Sequence, residues 1–248
     1  MKIITNIFAS SLGKKFIMAV TGFFLFAFVA GHLVGNLQIF LGPEAINRYG
    51  HFLQSNVELL WPVRLGLLAI VGLHIWSATK LSAENRAARP VGYGEYKPVG
   101  STYASRTMLM SGLIVFCFIV YHILHYTVRV QAINLTGQSF AHMPDLENRH
   151  DVFRMMVIGF SHPLVVLFYV VGVGLLCLHL SHGASSMFQS LGWKNRAYGP
   201  FLDQAARLVA IAIFVGYISI PVAVQFGYGR QASKPVPAHV DPAKEALK

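Results

Sequence analysis

The sequence predicts an all-α membrane protein whose five helices gather into one bundle. Composition is the first reason. Of 248 residues, 54% are hydrophobic and only 12% are charged, and the mean hydropathy is +0.53. Soluble domains carry about 25% charged residues, so a chain with half that share could not cover its surface in water. Five long apolar runs are the second reason, since about 20 apolar residues of helix cross a bilayer core. Third, these runs lack the polar face that a helix in a water-soluble bundle must show. The net charge of +10 would point to nucleic acid in a soluble protein. Here the charges sit in the connections, and no nucleic-acid partner is expected.

Phe16 to Phe40, Leu65 to Thr79, Thr107 to Val128, Met155 to Trp193 and Leu208 to Gly229 contain no Asp, Glu, Lys or Arg. Leu59 to Val63 extends the second run past Arg64, and the fourth is longer than one crossing needs. The resulting spans are about 14–40, 59–82, 105–129, 158–186 and 205–228, within one domain over 1–229. The Pro- and Ala-rich remainder, 230–248, reads as a disordered tail. The first run is too long for a cleavable signal peptide, and no small-residue cleavage pattern follows it. The N-terminus and the 80–106 and 187–207 connections hold eleven Lys and Arg, and the 41–64 and 129–154 connections hold five. By the positive-inside rule the N-terminus faces the cytoplasm.

Several local patterns carry no chemistry. Cys117 and Cys177 form neither a CxxC nor a CxxCH motif and read as small buried residues. The glycine-rich stretch 92–100 lacks the Lys-Ser/Thr of a phosphate loop and reads as a turn. Asn134-Leu-Thr136 matches a glycosylation sequon of a kind that arises by chance.

The histidines carry chemistry. There are eleven, and His32, His74, His122, His125, His162, His179 and His182 fall within the spans. An imidazole in hydrocarbon is costly unless paired, so each marks a site. Depth sorts them. His32 lies about 16 residues, or ~24 Å, from the inner edge of its run, and His122 lies at a similar depth in its own. His74 lies about 8 residues, or ~12 Å, from the inner end of the second span, and His179 matches it in the fourth. An outer pair, His32 with His122, and an inner pair, His74 with His179, result, about 12 Å apart along the membrane normal. Two imidazoles at one level suit a haem iron with two axial histidines. Zinc would want four ligands at one level. Gly31, Gly35, Gly72 and Gly183 leave room beside the pairs. His125 and His182 lie three residues beyond a pair member, nearer the membrane surfaces, where haem propionates would be. His162 reads as interfacial, and His51, His142, His150 and His239 as solvated.

Four stretches carry a resemblance: Ser11-Leu-Gly-Lys-Lys-Phe-Ile-Met-Ala-Val-Thr-Gly22, Gly31-His-Leu-Val-Gly-Asn-Leu-Gln38, Leu73-His-Ile75 and Leu178-His-Leu-Ser-His-Gly183. Together they resemble the cytochrome b subunit of succinate:quinone oxidoreductases, in its single-chain, five-helix, di-haem b558 form. The resemblance implies two stacked b haems whose iron is held axially by His32 with His122 and by His74 with His179. It also implies docking of a flavoprotein subunit with FAD and an iron–sulfur subunit on the cytoplasmic face of a bacterial inner membrane. Electrons from succinate would then reach a membrane quinone, menaquinone being favoured by the two-haem form. A quinone site needs a hydrogen-bond donor and a proton carrier. Glu58 is the expected carrier, with Gln54, Asn56 and Arg129 nearby, and Ser111 and Trp76 are expected beside the inner haem. The chain holds no flavin, nicotinamide or iron–sulfur motif, so it could not oxidise succinate alone. Fumarate reduction would use the same parts in reverse, and another quinone-linked dehydrogenase would use a related cytochrome b. A histidine-relay transporter is the reading from a different class. It would want acidic residues at mid-depth and repeated halves. No span core holds an Asp or Glu, and no repeat is evident in the sequence.

Overall fold

The computed structural model describes residues 7–88 and 106–233. The described residues are overwhelmingly helical and include no strand. Helix α1 spans Ser11–Leu37 and continues as a 3-10 turn, Gln38–Leu41. Then follow α2 (Pro43–Ser55), α3 (Val57–Ala87), α4 (Met108–His122), α5 (Val152–Gly159), α6 (Pro163–Ser190) and α7 (Gly199–Gln225). A π-helical turn, Ile123–Val128, extends α4. Five helices are long and apolar enough to cross a membrane: α1, α3, α4 with its π turn, α6 and α7. The chain is a multi-pass membrane protein of the all-α bundle class.

Local chemistry sets the ends. Ser10 caps α1, its hydroxyl accepting from Gly13 N at 3.1 Å. Pro43 and Pro163 open α2 and α6 in the first turn, where the missing N–H costs nothing. Gly42 takes φ +99 at the break before α2, a backbone that favours glycine.

Helix α3 runs on to Ala87 rather than 82 and α7 starts at Gly199 rather than 205, and the structure departs further from the sequence expectations at the fourth span, the 41–64 connection and the tail. The fourth span does not begin at 158: α5 ends at Gly159, His162 is extended, and α6 starts at Pro163. A residue before proline is pushed out of the helical region, so Pro163 divides the long apolar run. The 41–64 connection is no loop either, since α2 fills most of it. A thirteen-residue helix with mixed polarity leaves no charge-free run to notice. Arg230–Ser233, assigned to the tail, forms a 3-10 turn. The rest of the tail, the 89–105 part of the basic connection with its glycine-rich stretch, Lys2 and His239 lie outside the described residues.

Helix α6 packs most closely on α7 and also meets α1 and α4, while α3 packs chiefly on α1. The core runs through Leu33, Phe118, Val165, Tyr169, Val173, Cys177, Ala210 and Ile213. Close approach uses small residues. A Cβ on Gly172 would fall 2.3 Å from the Phe118 ring, and one on Gly35 would fall 2.8 Å from Tyr49 of α2. Gly35 therefore serves helix packing. Cys177 is buried as expected, but Cys117 is exposed on the outside of the bundle.

The face holding the start of α1 is tied by ion pairs. Buried Lys14 meets Glu84 of α3 at 2.5 Å, and Lys194 meets Asp203 at 2.6 Å, where Ser185 also donates to the carboxylate. At the opposite face α2, α5 and the 129–151 segment build a cap. Asn47 (2% exposed) is its hub, donating to Asp145 and Asp151 and accepting from Phe153 N. Arg149 joins the cap to α2 through Glu44 and holds Asp145 at 2.8 Å. Phe140, fully buried, plugs the cap against His125 and Tyr126. The sequon is closed off: Asn134 is 1% exposed, and its side chain bonds Gln138 O and Thr136.

Candidate functional site: two histidine pairs

Two couples of imidazoles face each other across the bundle. His32 of α1 and His122 of α4 have ring centres 5.8 Å apart, inclined at 80°. His74 of α3 and His179 of α6 have ring centres 6.5 Å apart, inclined at 66°. Each couple joins two helices that are not neighbours in sequence.

Three of the four rings are held at Nδ1 by a hydroxyl from another helix. Thr21 Oγ1 of α1 lies 3.1 Å from His74 Nδ1, and Ser111 Oγ of α4 lies 3.3 Å from His179 Nδ1. Both hydroxyls already give their single hydrogen to a backbone carbonyl of their own helix. Thr21 donates to Ile17 O at 2.7 Å, and Ser111 to Met108 O at 3.1 Å. Each can therefore only accept from the imidazole. With those carbonyl bonds made, the hydrogen belongs on Nδ1 of His74 and His179, and Nε2 keeps a bare lone pair. A ring N–H held by an outer partner while the other nitrogen is free is how proteins orient a metal-binding histidine. His122 Nδ1 lies 3.2 Å from the hydroxyl of Tyr169 on α6.

A glycine follows each helical hydroxyl. A Cβ on Gly22 would meet His74 Cε1, and one on Gly112 would meet His179 Cε1, both at 3.4 Å. Any side chain longer than a methyl would crowd the ring. The same device thus stands twice, Thr21-Gly22 on α1 and Ser111-Gly112 on α4, each with a pair histidine eleven residues later. Aligned on it, Met18, Gly22, Phe26, Phe28 and His32 coincide with Met108, Gly112, Phe116, Phe118 and His122. This repeat was not evident before the geometry placed the hydroxyls. It makes Thr21 a site residue that sequence reasoning missed, and it gives Ser111, expected only as a neighbour, a defined role. Eleven residues of helix rise about 16 Å, which sets the hydroxyl and the imidazole of each helix at different levels of the bundle.

Of the glycines expected beside the pairs, Gly31, Gly72 and Gly183 border open space, where a Cβ would meet nothing within 4 Å. The secondary histidines separate. His182 lies with its Nε2 3.0 Å from Ser186 Oγ of its own helix. His125 is wholly buried, because the 129–151 segment folds over it, with its Nδ1 3.1 Å from Tyr169. His162 sits at the break before α6, with its Nδ1 buried. His51 and His142 are exposed. His150, expected to be solvated, is half-buried beside Met155, and burial together with the nearby Arg129 lowers its pKa from 6.5 to about 4.

Glu58 is exposed in the first turn of α3, on the capped face, with Gln54 and Asn56 exposed close by in sequence. Arg64 stacks over Trp61 at 5.5 Å. Arg129 takes a left-handed φ of 64, and burial and Arg64 both lower its pKa. Trp76 packs on Phe8 at the opposite end. Among the described residues no three His, Cys, Asp or Glu side chains converge into a metal cage, so the donors are arranged as couples.

Fold and site together define a multi-pass all-α bundle that carries two stacked imidazole couples. A scan against protein-family models, a search of the curated proteins and a search of the solved structures each return no match.

Proposed function

We propose that this chain is a di-haem cytochrome b, the membrane-anchor subunit of a succinate:quinone oxidoreductase. The observation that carries the reading is the pair of imidazole couples at two depths, with Nε2 left bare on His74 and His179 by Thr21 and Ser111. Two nitrogens each about 2 Å from one metal are about 4 Å apart, and their ring centres lie farther back. Centre spacings of 5.8 and 6.5 Å suit that requirement. The open space at Gly31, Gly72 and Gly183 suits a flat macrocycle, and neutral imidazole is the donor that haem iron takes.

His32 with His122 would hold one haem b and His74 with His179 the other. Bound haem supplies one-electron chemistry that no side chain here offers. The chain's own residues fix ring orientation through Thr21, Ser111 and Tyr169 and keep the couples apart from water. On this reading the face with the basic connections is cytoplasmic in a bacterial inner membrane, and the flavoprotein and iron–sulfur subunits dock there. The capped face, with Glu58 and Arg129, lies toward the quinone, menaquinone being favoured. Fumarate reduction is the same reading run in reverse.

A reduced-minus-oxidised spectrum of the purified protein tests it, with two b-type haems per chain expected. His32→Ala or His122→Ala removes one, and His74→Ala or His179→Ala removes the other. A folded, colourless protein overturns the reading.

A further inference from the structure

Tyr169 of α6 lies between two histidines of α4. Its hydroxyl is 3.2 Å from His122 Nδ1 and 3.1 Å from His125 Nδ1. A phenol has one hydrogen to give, and its oxygen can also accept. Unlike Thr21 and Ser111, Tyr169 does not spend that hydrogen on a backbone carbonyl among the described residues. With both rings neutral, it donates to one Nδ1 and accepts an N–H from the other. The two rings must then be opposite tautomers.

If His122 gives its Nδ1–H to Tyr169, its Nε2 is bare, and His125 carries its hydrogen on Nε2. The reverse arrangement puts a hydrogen on His122 Nε2 and disables it as a ligand. His125 is 0% exposed, roofed by Phe140, and its Nε2 has no hydrogen-bond partner among the described residues. The Tyr126 hydroxyl is also buried and unpaired, on a ring centred 4.1 Å from His125. Buried polar groups without partners are few in native structures, and each calls for an explanation.

We propose that Tyr169 is a positioning residue that locks His122 in its ligand tautomer. The hydrogen thereby placed on His125 Nε2 is donated to an oxygen acceptor on the bound group, a porphyrin carboxylate or a quinone carbonyl. This rests on the di-haem reading and adds a coupling to it: ligation at His122 fixes a donor three residues away. The other couple has no such coupling, because Thr21 and Ser111 give their hydrogens to backbone carbonyls.

The test uses the full chain in membranes, with each haem's potential read by spectroelectrochemical titration. Tyr169→Phe removes the acceptor for His122 Nδ1–H and makes that ring less basic. The haem that His122→Ala eliminates should rise in potential, and the other should hold its value. Two unchanged potentials overturn the proposal. Should Tyr169→Phe fail to accumulate, 3-fluorotyrosine at 169, a weaker acceptor, should raise the same potential. His125→Phe is followed by redox-difference infrared spectroscopy. Displaced carboxylate bands identify the porphyrin as acceptor, and a displaced carbonyl band that vanishes on quinone extraction identifies the quinone. No displacement of either overturns the donor role. If His122→Ala leaves both haems in place, the di-haem reading fails instead, whatever Tyr169→Phe shows.

Discussion

Thr21 and Ser111 show how little of an orienting contact is visible in a sequence. Within an apolar helix a threonine or serine reads as a hydroxyl bonded back to its own turn, and both are so bonded. That same bond makes each a pure acceptor for an imidazole from the next helix. The histidines are legible because a buried imidazole is costly wherever it stands, whereas their partners cost nothing: Thr21 gives no signal, and Ser111 reads only as a haem neighbour. Thr21→Val keeps the shape and removes the hydroxyl acceptor 3.1 Å from His74 Nδ1. Loss of such an outer partner weakens metal binding by about 10- to 100-fold. The expected result is faster loss of the haem held by His74 in a transfer assay to an apo acceptor protein. The haem at His32 should keep its rate.

At the scale of elements, the five spans were legible and the cap was not. The crossings are long runs without charge, and no soluble alternative offers their pattern. Helix α2 and helix α5 are short and stabilised by contacts distant in sequence, such as Asn47 with Phe153 and Arg149 with Glu44. No local window contains both partners. The cap also hides His150, which changes the expected response to acid. Its pKa of about 4 in the folded protein lies below the ordinary imidazole value of 6.5. The unfolded chain therefore binds the proton first, and stability is lost as pH falls from about 6.5 toward 4. Glu44 and Asp145, held below the usual carboxylate range chiefly by Arg149, add losses only at lower pH. Hydrogen exchange across 138–151 should quicken over the upper window, and His150→Gln should abolish that step. An unchanged profile in the variant would assign the step to another group.

Across the whole molecule, α1 and α4 contribute to both levels, with a hydroxyl at one and an imidazole at the other. Depth read from apolar runs sorted the histidines into the couples whose rings the structure brings together, although run edges are not helix ends. Helix α1 starts at Ser11, five residues before its charge-free run begins at Phe16. The eleven-residue spacing has an angular meaning as well. At about 100° per residue, eleven steps make three revolutions and roughly 20° more, so Thr21 and His32 project toward the same side of their helix. One alanine inserted between Gly22 and His32 advances the later half by about 100° and leaves the segment as greasy as before. The spectrum should show one haem missing and the other kept, because rotational phase, rather than hydropathy, is what brings the imidazole of His32 to face its partner.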